Sequence, residues 1–86
     1  MAEVRWHRAA GELLQVLPQP IADRILLTTR LLGQFPDLGK RVHDPQWPNM
    51  RCVLANGWNV VYAHDPVAEI VTVVGVIAPG TGHPVQ

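Results

Sequence analysis

The sequence predicts an α+β domain in which a two-helix hairpin packs on one face of an antiparallel sheet. Two observations predict it: apolar residues recur at helical spacing up to about residue 34, and they follow a period of two from Met50 onward. Helices followed by a run of strands are typical of one helical layer on one sheet. The 86 residues are enough for a single domain over 1–86, in which 79–86 is expected to be a flexible tail.

The first half of the chain contains a short strand and the two helices. Apolar and charged residues alternate over 3–6, which indicates a strand. Apolar residues on one face predict a helix over 9–17 and a second helix over 20–34. Pro18 and Pro20 mark the boundary, because proline is tolerated in the first turn of a helix but not in its interior. So short a connection predicts an antiparallel helical hairpin.

The second half predicts a loop and then a meander of three strands. Residues 36–49 are rich in proline and polar residues, which is typical of a loop. Asn56-Gly57 supplies the two positive φ angles that a type I′ hairpin turn requires. The order is therefore strand–helix–helix–three strands, with the last three strands predicted over 50–55, 58–63 and 69–78.

One face of the predicted hairpin carries its two aromatic residues and a cation. A two-residue turn places Arg51 opposite Tyr62, on the same face as Trp58. Stacking on nucleic-acid bases would require several nearby cations, and Arg51 is the only one in the hairpin. Packing beneath the helices is therefore the favoured interpretation for both aromatic residues. The sequence leaves two interpretations of Arg51: it lies at the polar edge of that core, or it is a functional cation.

The other face of the hairpin is also apolar, and the last strand is apolar on both sides. Strands of this kind normally need cover on both faces, and a two-helix hairpin covers only one. An exposed apolar face is an association surface. The sequence therefore predicts a partner protein or a homodimer. The residues expected to contact the partner are Cys52, Val61, Val71 and Val73.

Composition excludes several kinds of site. The net charge is zero and residues 52–86 contain no Lys or Arg, so any nucleic-acid surface must come from the first 51 residues. The single Cys52 excludes a cysteine-based zinc cluster, and the four histidines lack metal-site spacing, so neither a metal nor a cofactor is expected. Serine is absent, which excludes a serine nucleophile. Without a secretory signal or a bilayer-spanning apolar run, the protein is expected to be cytoplasmic.

His64 and Asp65 are a candidate for a base and its orienting carboxylate. Neighbouring residues in a strand point to opposite faces, so these two side chains are not placed to pair. Asp65-Pro66 is a common way to begin a turn. A structural role is therefore the favoured interpretation.

Three segments of the sequence follow the order of a known family: "LLGQFPDLGKRV", "MRCVLANGWNVVYAHD" and "EIVTVVGVI". Within them the pattern is Pro-x-x-Gly followed by a base, an arginine that opens the hairpin, and an aromatic-x-Val-x-Tyr strand. The matching positions are Pro36, Gly39, Lys40, Arg51, Trp58, Val60 and Tyr62. Over about residues 3 to 78, the chain resembles the RelE/ParE superfamily of bacterial toxins from type II toxin–antitoxin systems.

The resemblance implies a toxin that inhibits growth and is neutralised by a cognate antitoxin protein. RelE-like members cleave mRNA in the ribosome, and ParE-like members poison DNA gyrase. The RelE-like nucleases carry cations along the sheet, where this chain has Val53 and Asn59, and a basic segment where it has Ile77-Ala78-Pro79. The catalytic candidates that remain are Arg51, Lys40 and Arg41.

The resemblance and the missing cations together favour ParE-like gyrase poisoning over ribosome-dependent mRNA cleavage. A third alternative is a binding module of the same fold that is inactive or not toxic. Whether the chain is an enzyme stays open; if it is one, the resemblance implies an mRNA endoribonuclease.

Overall fold

The computed structural model describes residues 1–42 and 49–79. Within them the chain forms one strand, a pair of helices and four further strands. The helices are α1 Arg8–Val16 and α2 Gln19–Gln34. The strands are β1 Glu3–Trp6, β2 Lys40–Arg41, β3 Met50–Ala55, β4 Trp58–Asp65 and β5 Ile70–Ile77.

The predicted fold class is confirmed, and most element boundaries agree to within two residues. The exception is β2, which lies in the segment predicted to be a loop. Its two residues, Lys40 and Arg41, are both charged, so they carry no apolar alternation that would indicate a strand. Residues 43–48 of the predicted loop and 80–86 of the predicted tail lie outside the described residues.

The sheet is mixed rather than wholly antiparallel. Its strand order is β1-β5-β4-β3-β2. Strand β1 runs parallel to β5, with Val4 opposite Val71, and the other neighbouring strands are antiparallel. This parallel pair departs from the antiparallel sheet that the sequence predicts, because alternation within a four-residue strand does not indicate its direction.

The β3–β4 hairpin follows the sequence prediction closely. Asn56 and Gly57 both have positive φ, 54° and 84°, as a type I′ turn requires. Arg51 pairs with Tyr62, and Ala55 pairs with Trp58. The hairpin register is therefore the predicted one.

The helical hairpin covers one face of the sheet, and the core lies between the two layers. Ile25 and Leu32 of α2 are fully buried there, and Ala10 of α1 is nearly so. On the sheet side, the fully buried residues are Val60, Tyr62, Val71 and Val73. Trp58 packs against the part of the core that contains Ile25, and Tyr62 lies in the part that contains Leu32, which confirms the prediction that the two aromatic residues lie beneath the helices.

A β-bulge in β5 reverses which of its side chains face the helices. Val61 pairs with Gly75 but Tyr62 pairs with Val73, so Val74 has no partner in the β4–β5 pairing. As a result, Val71 and Val73 on one side of the bulge and Val76 on the other all belong to the core. The prediction that Val71 and Val73 line the same surface as Cys52 and Val61 is therefore wrong.

Candidate functional site

Four of the motif residues meet in a single hydrogen-bonded cluster where α2 turns into β2. The Tyr62 hydroxyl donates to the Pro36 carbonyl oxygen at 2.7 Å and accepts from the Gly39 N–H at 2.9 Å. Arg51 Nη1 donates to the Gly39 carbonyl oxygen at 2.8 Å. Two side chains of the hairpin thus hold the 36–39 turn against the sheet. We call this cluster the turn latch.

Gly39 is in the latch because nothing larger fits. A Cβ atom at this position would lie 2.6 Å from the Cys52 carbonyl oxygen and 2.9 Å from the Tyr62 ring. The first of these is backbone in the middle of β3, which cannot move without disturbing the ladder. The spacing Pro-x-x-Gly in the sequence therefore reflects a close approach of two backbone segments.

Gly39→Ala should destabilise the domain by about 1–3 kcal/mol, the usual cost of forcing extra atoms into a packed site. The measurement is the urea midpoint of unfolding. Gly75→Ala is the matched control, because a Cβ atom on Gly75 would meet nothing within 4 Å. Equal midpoints for the two variants would contradict the close approach at Gly39.

The environment of Tyr62 also affects its ionisation. Burial raises the pKa of Tyr62 above its ordinary value of 10.0, and the Gly39 hydrogen bond and the Arg51 charge oppose this only in part. A raised pKa means that the folded state holds the phenolic proton more tightly. The resulting stability is fully present below pH 10 and is lost as pH rises through the raised pKa.

Tyr62 is the only tyrosine in the chain, so its titration can be read directly. We expect the tyrosinate absorbance of the native protein to appear at higher pH than that of the chain unfolded in urea. A native midpoint equal to or below the unfolded one would contradict the buried, hydrogen-bonded hydroxyl.

Arg51 is placed at the polar edge of the core. Its side chain is 18% exposed, and Nη2 lies 3.4 Å from the Asp37 carboxylate in addition to the contact with Gly39. This geometry gives Arg51 a structural role, the first of the two interpretations that the sequence left open. Its guanidinium supports the turn latch.

The three catalytic candidates do not form one cluster. Lys40 pairs with Cys52 and lies on the sheet face away from the helices, whereas Arg41 pairs with Arg51 and shares the other face. The sheet therefore separates Lys40 from the two arginines. Only Arg41 and Arg51 are brought together.

The sheet face away from the helices, which we call the open face, is half-buried and largely apolar. It carries Cys52 and Val61, the two of the predicted partner-binding residues that do not belong to the core. An apolar groove of about 470 Å³ crosses it. The groove is lined by His7, Val42, Met50, Val61, Val74, Gly75 and Ile77.

Comparison with solved structures identifies the architecture. The chain superposes on a chain of the toxin–antitoxin complex RelBE2 from Mycobacterium tuberculosis with a TM-score of 0.80 and 19% identity, covering 90% of this chain and 96% of that one. For the isolated RelE toxin of E. coli the TM-score is 0.79 at 13% identity, covering 96% and 89%. For the archaeal RelE–RelB complex from Pyrococcus horikoshii it is 0.68 at 16% identity, covering 94% and 98%.

The chain has the RelE toxin fold. The sequence matches no protein-family model and no curated protein. At these identities the likeness concerns the fold, and the fold extends over nearly the whole chain. The turn latch explains why four of the motif residues occur together: Pro36, Gly39, Arg51 and Tyr62 hold the 36–39 turn of this RelE fold against its sheet.

The open face of this RelE fold carries few cations. By its pairing with Thr72, Arg5 lies there at the β1 edge, and its Nε is 2.7 Å from the Glu3 carboxylate. Lys40 lies at the opposite edge, in β2. Among the described residues of this face, Lys40 is thus the one Lys or Arg outside an ion pair. Between these edges the surface includes Cys52, Leu54, Asn59, Ala63, Thr72 and the groove residues.

His64 and Asp65 lie on opposite faces of the sheet, as the sequence predicts. The Asp65 carboxylate accepts hydrogen bonds from the backbone N–H groups of Val67 and Ala68, at 3.0 and 3.1 Å, and so begins the β4–β5 turn. His64 lies on the same face as Tyr62. Within residues 1–42 and 49–79, no three potential metal ligands converge, and no helix has the length and apolar content that crossing a bilayer requires.

Proposed function

We propose that this chain is the toxin component of a type II toxin–antitoxin pair that acts in the cytoplasm. The observation that carries the proposal is the RelE fold over at least 90% of the chain in all three comparisons described. One of those structures is, by its name, a toxin–antitoxin complex, and another is a RelE–RelB complex. A cognate antitoxin is therefore the proposed partner.

For the mode of action we favour ParE-like poisoning of DNA gyrase, in which the toxin acts by binding. Cleavage of a phosphodiester requires preorganised cations or other donors where negative charge develops. The open face offers Lys40 at one edge and Arg5, already paired with Glu3, at the other. An apolar groove between them suits a protein surface better than an RNA backbone.

The alternative is RelE-like cleavage of ribosome-bound mRNA, and one observation favours it: the solved structures on which the chain superposes include the isolated RelE toxin of E. coli. A further alternative is an inactive or non-toxic binding module, which the apolar open face also suits. The three alternatives predict different effects on bacterial growth, on the integrity of cellular mRNA and on DNA supercoiling.

Two apolar surfaces are proposed for the antitoxin. One is the open face, with Cys52 and Val61 as contacts. The other is a stripe along the outer side of α2 and the following turn, where the exposed apolar residues are Leu27, Leu31, Phe35 and Leu38. Spacings of three and four residues place these side chains in a row, the arrangement against which an amphipathic helix packs.

The experiment is inducible expression of the chain alone and together with the adjacent gene. Growth arrest with the chain alone, relieved by the adjacent gene, is the expected result. Plasmid supercoiling and the 5′ ends of cellular mRNA are measured from the same cultures. Altered supercoiling with intact mRNA supports gyrase poisoning, and codon-spaced mRNA cleavage supports the RelE-like alternative. Unaltered growth at high expression would contradict the toxin proposal.

A further inference from the structure

A second cleft lies on the helix-facing side of the sheet, beyond the end of the helical hairpin. Its volume is about 220 Å³. Unlike the groove on the open face, it is lined mainly by polar and charged residues. They are Asp37, Arg41, Asn49, Arg51, His64 and Pro66.

The cleft places two guanidinium groups side by side. Arg41 and Arg51 are directly opposite each other in the antiparallel β2–β3 pair. Side chains in that relation start about 5 Å apart at Cβ, and like charges there repel and destabilise the pair. Among the described residues the cleft is lined by one carboxylate, that of Asp37, which is 80% exposed and lies 3.4 Å from Arg51. The cleft therefore keeps an excess of positive charge.

Two further lining residues, His64 and Asn49, add hydrogen-bonding side chains without negative charge. His64 is half-buried on the same face as Tyr62, one alternation further along β4. Asn49 precedes β3 with a positive φ of 66°. An imidazole and a carboxamide beside two guanidinium groups form a set of donors that suits a small oxyanion.

The turn latch orients one of these arginines before any ligand arrives. Arg51 is held by the Gly39 carbonyl oxygen and Asp37, and its side chain is only 18% exposed. A guanidinium carries five N–H donors, more than these two contacts engage. An arginine fixed in this way loses little conformational entropy on binding, which favours recognition of a planar or tetrahedral oxyanion.

We propose that this cleft binds a phosphate group, with Arg41, Arg51 and His64 as its ligands. The cleft is on the opposite side of the sheet from the open face, so the proposal does not depend on the proposed function. Asp37 opposes binding, because its carboxylate faces the same anion. This gives the proposal a test in both directions: loss of Arg41 weakens binding, and loss of the Asp37 charge strengthens it.

The experiment is an NMR titration of the full chain with inorganic phosphate and, separately, with adenosine 5′-monophosphate. Saturable shifts of Arg41, Arg51 and His64 with both compounds are expected. Arg41→Ala should weaken binding about tenfold, the effect of one charge-assisted hydrogen bond. Asp37→Asn should tighten it. Arg24→Ala is the matched control, an exposed arginine on α2 away from the cleft, and should bind as the wild type does.

Several results would overturn the proposal. One is the absence of saturable shifts at the cleft with either compound. Another is equal weakening by Arg41→Ala and Arg24→Ala, which would indicate a general charge effect. A third is weaker binding by Asp37→Asn while its amide spectrum remains that of the folded protein. Binding of the nucleotide alone, with shifts on the open face, would place the phosphate elsewhere and would also contradict it.

Discussion

Val73→Lys should unfold the domain. Val73 is fully buried opposite Tyr62, in the cluster that includes Ile25 of α2. An ammonium group there has no counter-ion, and burying it costs several kcal/mol. That cost is comparable to the whole stability of a small domain, about 5–15 kcal/mol. Circular dichroism and urea unfolding of the purified variant measure the effect, and the expected result is loss of the cooperative transition.

Val61→Lys is the matched control for this prediction. It makes the same change in the neighbouring strand but on the open face, where a lysine stem can lie along the surface with its charge in water. We expect a folded variant with a loss below about 1 kcal/mol. Unfolding of both variants would mean that the open face is buried in a tight homodimer. A folded Val73→Lys protein would contradict the bulge and the core assignment.

Tyr62→Phe should lower the free energy of unfolding by about 2–4 kcal/mol, a large effect for the removal of one oxygen atom. The hydroxyl is the partner of both the Gly39 N–H and the Pro36 carbonyl oxygen, and Gly39 is buried. Without it, the Gly39 donor has lost its partner, and the turn latch retains only the Arg51 contacts. Urea unfolding measures the difference.

Thr28→Val is the control, because it also deletes a hydroxyl. The Thr28 hydroxyl donates a solvent-exposed hydrogen bond to the Arg24 carbonyl oxygen within α2. Its loss should change stability by less than about 0.5 kcal/mol. If Tyr62→Phe were equally mild, the latch would not be what holds the 36–39 turn to the sheet.

The parts of the fold that the sequence predicts are those set by local chemistry. Pro18 and Pro20 separate the helices, and Asn56-Gly57 sets the hairpin turn and with it the β3–β4 register. Each of these signals depends on one or two residues with a restricted backbone, so no tertiary context is needed to interpret it.

The parts that the sequence does not predict depend on contacts between distant segments. Strand β2 exists because the turn latch brings Lys40 and Arg41 alongside β3, and the two residues carry no strand pattern of their own. The bulge at Val74 is a feature of the β4–β5 pairing, and "IVTVVGVI" is apolar in either register. For that reason Val71 and Val73 could be assigned to the wrong face.

The contacts within the candidate site also join distant segments, and the sequence does not predict them. Four of the seven motif residues form the turn latch, and the sequence does not predict this because it depends on the contacts of Tyr62 and Arg51 with the 36–39 turn. Lys40 and Arg41 lie on opposite faces of the sheet because they belong to β2, a strand that the sequence does not indicate. The sequence does not predict that Arg41, Arg51 and His64 meet in one cleft, because the residues that line it come from three separate segments and no short motif joins them.

The most direct test of the account is growth under induced expression of a chain in which Arg5 and Lys40, the two cations of the open face, are both replaced by alanine. Both side chains are exposed, so the variant should fold. If the toxin acts by binding, the double variant should arrest growth as the wild type does, with cellular mRNA intact in both. Arrest and codon-spaced mRNA cleavage in the wild type, both lost in the double variant, would contradict the account and make the open face a ribonuclease site.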